Sequence, residues 1–165
     1  MPVRILLIED HIPDVFLIEE ALRAQKLEFE MSHCADGEEA LSWLAAMDPD
    51  RAPQLIVLDL NLPKVNGFAV LRAIRQQPRF DSVPVAVLTS SQSPADRKRA
   101  AESGADAFIV KPPHLDEFRE DVGSALAGAL GYRRGAAGRH LALLCLRVPI
   151  AGLLARRAQR ARRRS

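Results

Sequence analysis

The sequence predicts an α/β fold in which a doubly wound, five-stranded parallel sheet carries helices on both faces. Short apolar runs alternate with helix-patterned segments, and no internal repeat or low-complexity segment interrupts them before residue 131. Parallel strands need helical crossovers, and these are right-handed, so this alternation is typical of a parallel sheet. With 165 residues and 48% hydrophobic content, the chain suits one well-packed domain and is too short for two of ordinary size.

The candidate strands are short runs that are mostly apolar. Four of them are nearly continuous in apolar residues, whereas the second, EFEMSHC, mixes polar and apolar residues and is expected to be half exposed. In chain order the five runs cover residues 3–8, 28–34, 55–58, 84–88 and 107–110.

The segments that follow these runs have helical spacing of apolar residues. They lie near residues 13–25, 37–47, 66–76, 94–103 and 114–127. Asn66 is placed to cap the third helix, and Ser93 followed by Pro94 is a typical helix start.

Charge divides the chain into two parts. Residues 1–130 hold 13 Lys and Arg against 21 Asp and Glu, a net charge of −8, whereas residues 131–165 hold 10 Arg and no acid. We therefore expect an acidic domain over residues 1–130 and a basic Arg-rich tail over residues 131–165. Cys34 and Cys145 form no disulfide or metal-ligand pattern, and the first residues lack the apolar core of a signal peptide, so we expect a reducing, cytoplasmic setting.

Acidic residues follow two of the apolar runs directly. Glu9 and Asp10 come after the first run, and Asp59 comes after the third. In a doubly wound sheet the strand ends at the switch point form the binding crevice, and adjacent strands lie about 4.8 Å apart. If the first and third strands are neighbours, the three carboxylates meet in one cleft, where a hard cation such as Mg²⁺ would relieve their repulsion.

Two further strand ends carry hydroxyl and ammonium groups. Thr89, Ser90 and Ser91 follow the fourth run, and Lys111 follows the fifth. A carboxylate nucleophile, a cation site, a hydroxyl and an ammonium around one cleft are what phosphoryl transfer onto a carboxylate requires.

At this point the sequence resembles the response-regulator receiver domain of two-component signalling, over residues 3 to about 127. The resemblance implies a flavodoxin-like sheet with strand order 2-1-3-4-5. The positions that match in residue type and in place along the fold are Glu9, Asp10, Asp59, Pro63, Gly67, Thr89, Phe108, Lys111 and Pro112.

By this resemblance, Asp59 accepts a phosphoryl group from a histidine kinase. Lys111 and Thr89 bind the phosphoryl oxygens, and Thr89 and Phe108 form the conformational switch. The protein would then be a phosphoacceptor that catalyses only its own phosphorylation and dephosphorylation. The implied Mg²⁺ ligands are the side chains of Glu9, Asp10 and Asp59 and the backbone carbonyl of Asn61.

A narrower resemblance links the chain to the single-domain regulators partnered with bacterial phytochromes. It is carried by EDHIPDVFLIEEAL, by LDLNLPKVNG and by the absence of an effector domain after the receiver. Pro113 departs from the family, which usually has a bulky apolar residue there, and this puts the start of the last helix in question. The Lys111–Pro112 peptide bond is expected to be cis.

The resemblance places signal output on the face formed by the fourth helix, fifth strand and fifth helix. We expect protein contacts there and no sequence-specific DNA binding, and the sequence does not identify the downstream partner. A homodimer through this face is expected, with Phe118 and Val122 as its apolar residues.

Other interpretations of the same residues stay open. Asp59 or Asp10 could cap a helix, Thr89 could belong to a helix start, and Phe108 could be an ordinary core residue. The four histidines are not spaced like metal ligands, and we assign them no catalytic or metal-binding role. A pseudo-receiver, meaning a binding module that is never phosphorylated, remains the alternative function.

Two other protein classes fit the sequence less well. A flavin-binding protein of this topology would place phosphate next to Glu9 and Asp10, which repel it without a metal. A dehalogenase-like phosphatase would carry its nucleophile after the first strand, with an acid two residues further on. Here the corresponding motif is on the third strand and the second position is Asn61.

The basic tail permits several interpretations. Its apolar stretch, residues 141–155, is broken by Arg147 and Pro149 and is too short to span a membrane, which needs about 20 apolar residues. An amphipathic helix, a nucleic-acid arm and a disordered extension are all compatible with it. Because Tyr132 is the one aromatic residue in this segment, we expect at most non-specific binding to polyanions.

Overall fold

In the computed structural model, which describes residues 1–131, five strands form one parallel sheet. They are β1 (Val3–Ile8), β2 (Phe29–Cys34), β3 (Leu55–Leu58), β4 (Val85–Thr89) and β5 (Ala107–Val110). Their order in the sheet is β2-β1-β3-β4-β5, which confirms the predicted topology.

Helices connect the strands and cover both faces of the sheet. The first four are α1 (Ile12–Ala24), α2 (Gly37–Ala46), α3 (Gly67–Arg75) and α4 (Pro94–Glu102). The last is continuous but composite, and we call residues 115–129 the C-terminal helix: α5 (Leu115–Glu117), a π-helical stretch (Phe118–Val122) and α6 (Gly123–Ala129). Short 3₁₀ turns occupy Pro49–Arg51 and Pro78–Phe80. None of the helices within residues 1–131 is long and apolar enough to cross a membrane.

The central strands are buried along their whole length. Every residue of β3 and β4 is buried, because helices cover both sides of a parallel sheet and leave no polar face. β2 is an edge strand that pairs only with β1 in the sheet, and most of its residues are partly exposed, as the mixed pattern of EFEMSHC predicts.

The sheet separates two apolar cores. One lies under α2, α3 and α4 and includes Leu44, Leu71 and Phe80, each with no exposed surface. The other lies under α1 and the C-terminal helix and includes Ile18 and Leu126, also fully buried. Burying a side chain of this size contributes about 1.5–3 kcal/mol, so these two layers provide most of the driving force for folding.

Polar side chains define several helix starts. Asn66 Oδ1 accepts a hydrogen bond from the Ala69 N–H (3.0 Å), and Ser93 Oγ accepts one from the Asp96 N–H (3.3 Å), as predicted. At α1 no side-chain cap forms, so Asp10 does not cap that helix. The Glu9 carboxylate instead accepts a hydrogen bond from the His11 N–H (3.0 Å).

The residues predicted for the dimer face are core residues. Phe118 is 3% exposed and Val122 fully buried, and both lie in the core under α1, so the prediction that they form an exposed apolar face is wrong. Residues four apart on a helix share a face, and here that face packs against α1 and the sheet.

The segment after β5 also differs from expectation. The described residues contain no cis peptide bond, so the expectation of a cis Lys111–Pro112 bond is wrong. The trans form is intrinsically favoured for such bonds by about 0.5–1 kcal/mol. After Pro113, the C-terminal helix begins at Leu115, preceded by His114 without a side-chain cap.

Candidate functional site

Three carboxylates meet at the carboxyl ends of β1 and β3. The two strands are neighbours, and the Asp59 N–H donates to the Ile8 carbonyl (3.0 Å), which brings the residues after each strand together. One carboxylate oxygen from each of Glu9, Asp10 and Asp59 lies within 4.8 Å of the others. Glu9 and Asp59 are buried, at 1% and 5% exposure, whereas Asp10 is exposed. We call these three residues the acidic cluster.

The Lys111 ammonium group is shared by three carboxylates. Its Nζ lies 2.7 Å from Glu9 Oε2, 2.9 Å from Asp59 Oδ2 and 2.7 Å from Asp14 Oδ2. The Lys111 side chain is 11% exposed, and the Lys111 N–H donates to the Thr89 carbonyl (2.9 Å), which ties the end of β5 to β4. Breaking a buried ion pair by removing one partner costs about 3–5 kcal/mol, so Lys111 is essential to the stability of this edge of the sheet.

The environment shifts the pKa values of these groups. Burial raises the pKa of Glu9 above its usual 4.5, although Lys111 and the His11 N–H favour the ionised form. Burial alone would lower the pKa of Lys111, but hydrogen bonds to Asp14, Asp59 and Glu9 outweigh burial and raise it well above 10.5. For Asp14, burial by itself would raise the pKa, as it does for Glu9, but Lys111 and His11 outweigh it and lower the pKa below 3.8. Lys111 therefore carries its charge throughout the physiological pH range.

The four oxygens of the two buried carboxylates are all engaged. Glu9 Oε1 accepts from the His11 N–H, and Asp59 Oδ1 accepts from the Asn61 N–H, each at 3.0 Å. The remaining oxygens, Glu9 Oε2 and Asp59 Oδ2, accept from Lys111. A cation that enters the acidic cluster therefore shares these carboxylates with the Lys111 ammonium group, and the two positive charges repel each other.

Hydroxyl and amide groups line the side of the site next to β4. Thr89 is fully buried, and its Oγ1 accepts a hydrogen bond from the Ser91 N–H (3.3 Å). The Asn61 side-chain amide lies 3.5 Å from both Thr89 Oγ1 and Ser90 Oγ. Because these donors and acceptors come from β4 and the loop after β3, they can bind oxygens of a group attached to Asp59.

Phe108 points into the core under α2, α3 and α4. It is 2% exposed, and the Arg97 guanidinium lies 4.7 Å from the centre of its ring, a cation–π contact between α4 and β5. Thr89 and Phe108 lie on neighbouring strands, since Val87 of β4 pairs with Phe108 of β5. The two predicted switch residues thus lie on neighbouring strands, with Phe108 packed inward.

Gly67 permits the sharp loop that follows Asp59. A Cβ atom on Gly67 would lie 2.3 Å from the Asp59 carbonyl oxygen and 2.6 Å from the Leu60 Cα. The Gly67 N–H donates to the Leu60 carbonyl (3.0 Å), which closes the loop at the start of α3. Glycine is therefore required for the backbone to return so close to the candidate nucleophile.

Sequence reasoning missed two residues of the site. Asp14, in the first turn of α1, contacts Lys111, and the available signal in the sequence was an acid at the start of the helix that directly follows Glu9 and Asp10. His33 was assigned no chemistry, but its Nε2 lies 2.8 Å from the Glu9 carbonyl oxygen and therefore donates to it. No local pattern marks His33, since the contact depends on the pairing of β2 with β1.

The acidic cluster fits a hard divalent cation. Its donors are carboxylate oxygens, and the shared ammonium group does not neutralise three acids. Mg²⁺ is typically held by one or two carboxylates together with water and phosphate oxygens, and this set provides such ligands. The Asn61 backbone, held by its N–H bond to Asp59, is placed beside the same carboxylates.

Comparison with known proteins agrees with this geometry. A family model described as the response regulator receiver domain matches residues 5–123. Response regulator Rcp1 of Synechocystis sp. is 34% identical over 120 residues, which are 71% of this chain and 82% of Rcp1. The probable methanogenesis regulatory protein FilR2 of Methanothrix harundinacea is 32% identical over 135 residues, 81% of this chain and 87% of FilR2.

Solved structures show the same similarity. The phosphorylated cyanobacterial phytochrome response regulator RcpA superposes with a TM-score of 0.73 at 31% identity, covering 81% of this chain and 98% of RcpA. The Mn²⁺-bound form of Rcp1 gives a TM-score of 0.72 at 31% identity, with the same coverage. A family match over residues 5–123, together with relatives above 30% identity along most of their own length, shows that the chain belongs to the response-regulator receiver family.

Proposed function

We propose that this protein accepts a phosphoryl group on Asp59 from a histidine kinase, with Mg²⁺ bound in the acidic cluster. The single observation that carries the proposal is the Lys111 Nζ–Asp59 Oδ2 distance of 2.9 Å beside two further carboxylates. This arrangement combines a nucleophilic oxygen, a cation site and a fixed positive charge within one cleft.

In the proposed reaction an Asp59 oxygen attacks the phosphorus of the donor. The phosphorus–oxygen bond to Asp59 forms as the phosphorus–nitrogen bond of a phosphohistidine breaks, and the imidazole leaves with the bonding electron pair and takes up a proton. Lys111 and Thr89 donate to the phosphoryl oxygens. A bound Mg²⁺, held by Glu9, Asp10, Asp59 and the Asn61 carbonyl, would supply charge neutralisation. The chemistry is limited to phosphorylation and dephosphorylation of Asp59 itself.

The proposed kinase is a bacterial phytochrome. The support is similarity to Rcp1 and RcpA, the second of which is described as a phytochrome response regulator. The pseudo-receiver alternative is not favoured, because Asp59, Thr89 and Lys111 are all present in one site.

Domain organisation, location and output form part of the same proposal. We assign residues 1–130 to the receiver domain, which the family match over 5–123 supports, and residues 131–165 to a basic tail that lies almost entirely outside the described residues. The proposed location is the cytoplasm, supported by Cys34, which forms no disulfide within the described residues 1–131. Output occurs by protein contact, with Thr89 and Phe108 as the switch and no sequence-specific DNA binding.

A homodimer also remains a proposal, through α4, β5 and the C-terminal helix. Its support is now the edge position of β5 and the exposed charged side of α4, since Phe118 and Val122 are buried. Sedimentation with and without phosphodonor tests it.

The test of the proposed function is covalent labelling. The full chain is incubated with a small phosphodonor and Mg²⁺, and the intact mass is expected to show one added phosphoryl group. Asp59→Asn keeps the shape of the side chain and should abolish labelling, whereas Asp50→Asn, an exposed aspartate in a 3₁₀ turn, should label normally. Labelling of the Asp59→Asn variant at the wild-type level would contradict the assignment. Transfer from a purified, phosphorylated phytochrome kinase then tests the partner.

A further inference from the structure

Lys111 has one carboxylate partner that does not belong to the acidic cluster. An ammonium group has three N–H donors, and here they face Glu9, Asp59 and Asp14. Glu9 and Asp59 also provide oxygens to the cluster, whereas Asp14 does not. Asp14 is therefore the partner that Lys111 can keep when a cation takes oxygens from the other two.

The position of Asp14 is set independently of the cluster. It lies in the first turn of α1, where its N–H donates to the His11 carbonyl (2.9 Å). Its two carboxylate oxygens serve different partners, since Oδ1 lies 3.1 Å from His11 Nδ1 and Oδ2 lies 2.7 Å from Lys111 Nζ. The Asp14 side chain is 18% exposed, so the contact with Lys111 is only weakly screened by water.

Binding of a cation in the acidic cluster affects the contacts of Lys111 with Glu9 and Asp59. Lys111 occupies Glu9 Oε2 and Asp59 Oδ2, and the other oxygens of these residues accept backbone N–H groups. A divalent cation bound to the same carboxylates repels the Lys111 ammonium group, so its binding weakens the contact of Lys111 with Glu9 and Asp59. Without Asp14, an ammonium group released in this way would lose its remaining partner and leave the site.

We propose that Asp14 is a positioning residue that holds the Lys111 ammonium group at the phosphoryl site while Glu9 and Asp59 bind the metal. This inference rests on the proposed role of the acidic cluster as the metal site. Asp14 itself contacts neither the phosphoryl group nor the metal. Asp14 acts through Lys111, and its effect on Mg²⁺ binding depends on Lys111.

A double-mutant cycle on the full-length protein tests this dependence. Mg²⁺ alone is titrated calorimetrically into the wild type, Asp14→Asn, Lys111→Met and the double variant. We expect Asp14→Asn to weaken Mg²⁺ binding about threefold or more, because Lys111 then stays on Glu9 and Asp59, and to have less than about half that effect in the Lys111→Met background. An equal loss in both backgrounds identifies a through-space charge effect and overturns the proposal, as does no loss in the wild type.

A second measurement follows Lys111 itself and does not require Lys111→Met to fold. The chain contains four lysines, so the side-chain ¹⁵Nζ resonance of Lys111 can be assigned by exchanging Lys26, Lys64 and Lys98 for Arg. We expect this resonance to persist at saturating Mg²⁺ in the wild type and in Asp14→Glu, and to be lost to solvent exchange in Asp14→Asn and Asp14→Ser. A persistent resonance in the last two variants overturns the proposal. Neither measurement uses a phosphodonor, so failure of Asp59 to label would not be confused with failure of this inference.

Discussion

The Lys111 ammonium nitrogen lies 2.9 Å from Asp59 Oδ2, although 52 positions separate the two residues in the chain. The strands that end before them, β3 and β5, are not adjacent, because β4 lies between them. The Lys111 side chain therefore extends across the end of β4 to reach Asp59. The Lys111 backbone N–H donates a hydrogen bond to the Thr89 carbonyl at that end of β4. The site is thus a property of the strand order.

Replacing Lys111 should destabilise the metal-free protein. Lys111→Met leaves Glu9 and Asp59, which are 1% and 5% exposed, without their cation, and we expect a loss of about 3 kcal/mol in unfolding free energy. Lys64→Met is the matched control, since Lys64 is 58% exposed beside Asp36 and Glu38 and its removal should cost much less stability than that of Lys111. Denaturant unfolding in a chelating buffer measures both.

The same variant should change the pH dependence of stability. The pKa of Glu9 is already raised above 4.5 by burial, and removing Lys111 raises it further. A carboxyl group with a raised folded-state pKa binds protons more readily in the folded protein, so its destabilising effect disappears as the pH falls through that value. We expect Lys111→Met to recover stability as the pH falls from neutral through the raised pKa of Glu9 toward its usual 4.5, more steeply than the wild type. A flat profile in that window would contradict the role of Glu9. On the acid side, the wild type should lose the stability contributed by Asp14 and Asp36 as the pH falls below the usual aspartate value of 3.8, because their pKa values are lowered in the folded protein.

Removing the exposed acid of the cluster should weaken metal binding without harming the fold. Asp10→Asn takes one of three clustered carboxylates, and we expect Mg²⁺ affinity to fall about tenfold or more. The metal-free protein should melt at the same or a slightly higher temperature, because repulsion within the cluster decreases. Calorimetric titration with Mg²⁺ and thermal melts check the two expectations, with Asp50→Asn as control. An unchanged Mg²⁺ titration would show that the cluster is not the metal site.

Gly37 supports the loop that follows β3. A Cβ atom at this buried position would lie 2.0 Å from the Val65 carbonyl oxygen, so Gly37→Ala must displace that loop. We expect it to lower the unfolding free energy by about 2–3 kcal/mol. Gly128→Ala is the control, because within residues 1–131 no atom outside the adjacent backbone of its own helix lies within 4 Å of the added Cβ, and it should gain about 0.5–1 kcal/mol through helix propensity. Equal effects of the two substitutions on the unfolding free energy would show that the loop can be displaced at little cost and would contradict this prediction.

Cys34 should be unreactive in the folded protein. It is 1% exposed, and burial together with the charges of Glu39 and Asp36 raises its pKa to about 12, so the thiolate is scarce at neutral pH. With Cys145→Ser leaving one thiol, labelling by a thiol reagent should proceed only as fast as the protein opens. Denaturant should restore rapid labelling, and rapid labelling of the folded protein would contradict the burial of Cys34.

The basic tail should be dispensable for phosphotransfer. Residues 131–165 hold ten arginines and no acid, which gives strong, salt-screened attraction to polyanions. We expect a chain that ends at Gly131 to fold and label like the full chain but to lose binding to heparin or nucleic acid. If the truncation unfolds the protein instead, the tail is a structural element.

The sequence alone determined the alternation of strands and helices and the residues at each strand end. Apolar runs and helical spacing are local patterns, so β1, β3, β4 and β5 and the four helices between the strands were predicted to within a few residues. Glu9, Asp10, Asp59, Thr89 and Lys111 were predicted to meet because the carboxyl ends of parallel strands share one edge of the sheet, and the structure brings them together there.

Tertiary structure decided which face each side chain presents and which distant partner it meets. Phe118 and Val122 have an apolar pattern that suits either an interface or a core, and packing against α1 placed them in the core. Asp14 and His33 joined the site through contacts to Lys111 and to the Glu9 carbonyl, which depend on the relative positions of α1, β1, β2 and β5. The backbone after Lys111 adopted the trans form where resemblance suggested cis. These outcomes depend on the summed contacts of many residues that are distant in the sequence, so no short segment of the chain is sufficient to predict them.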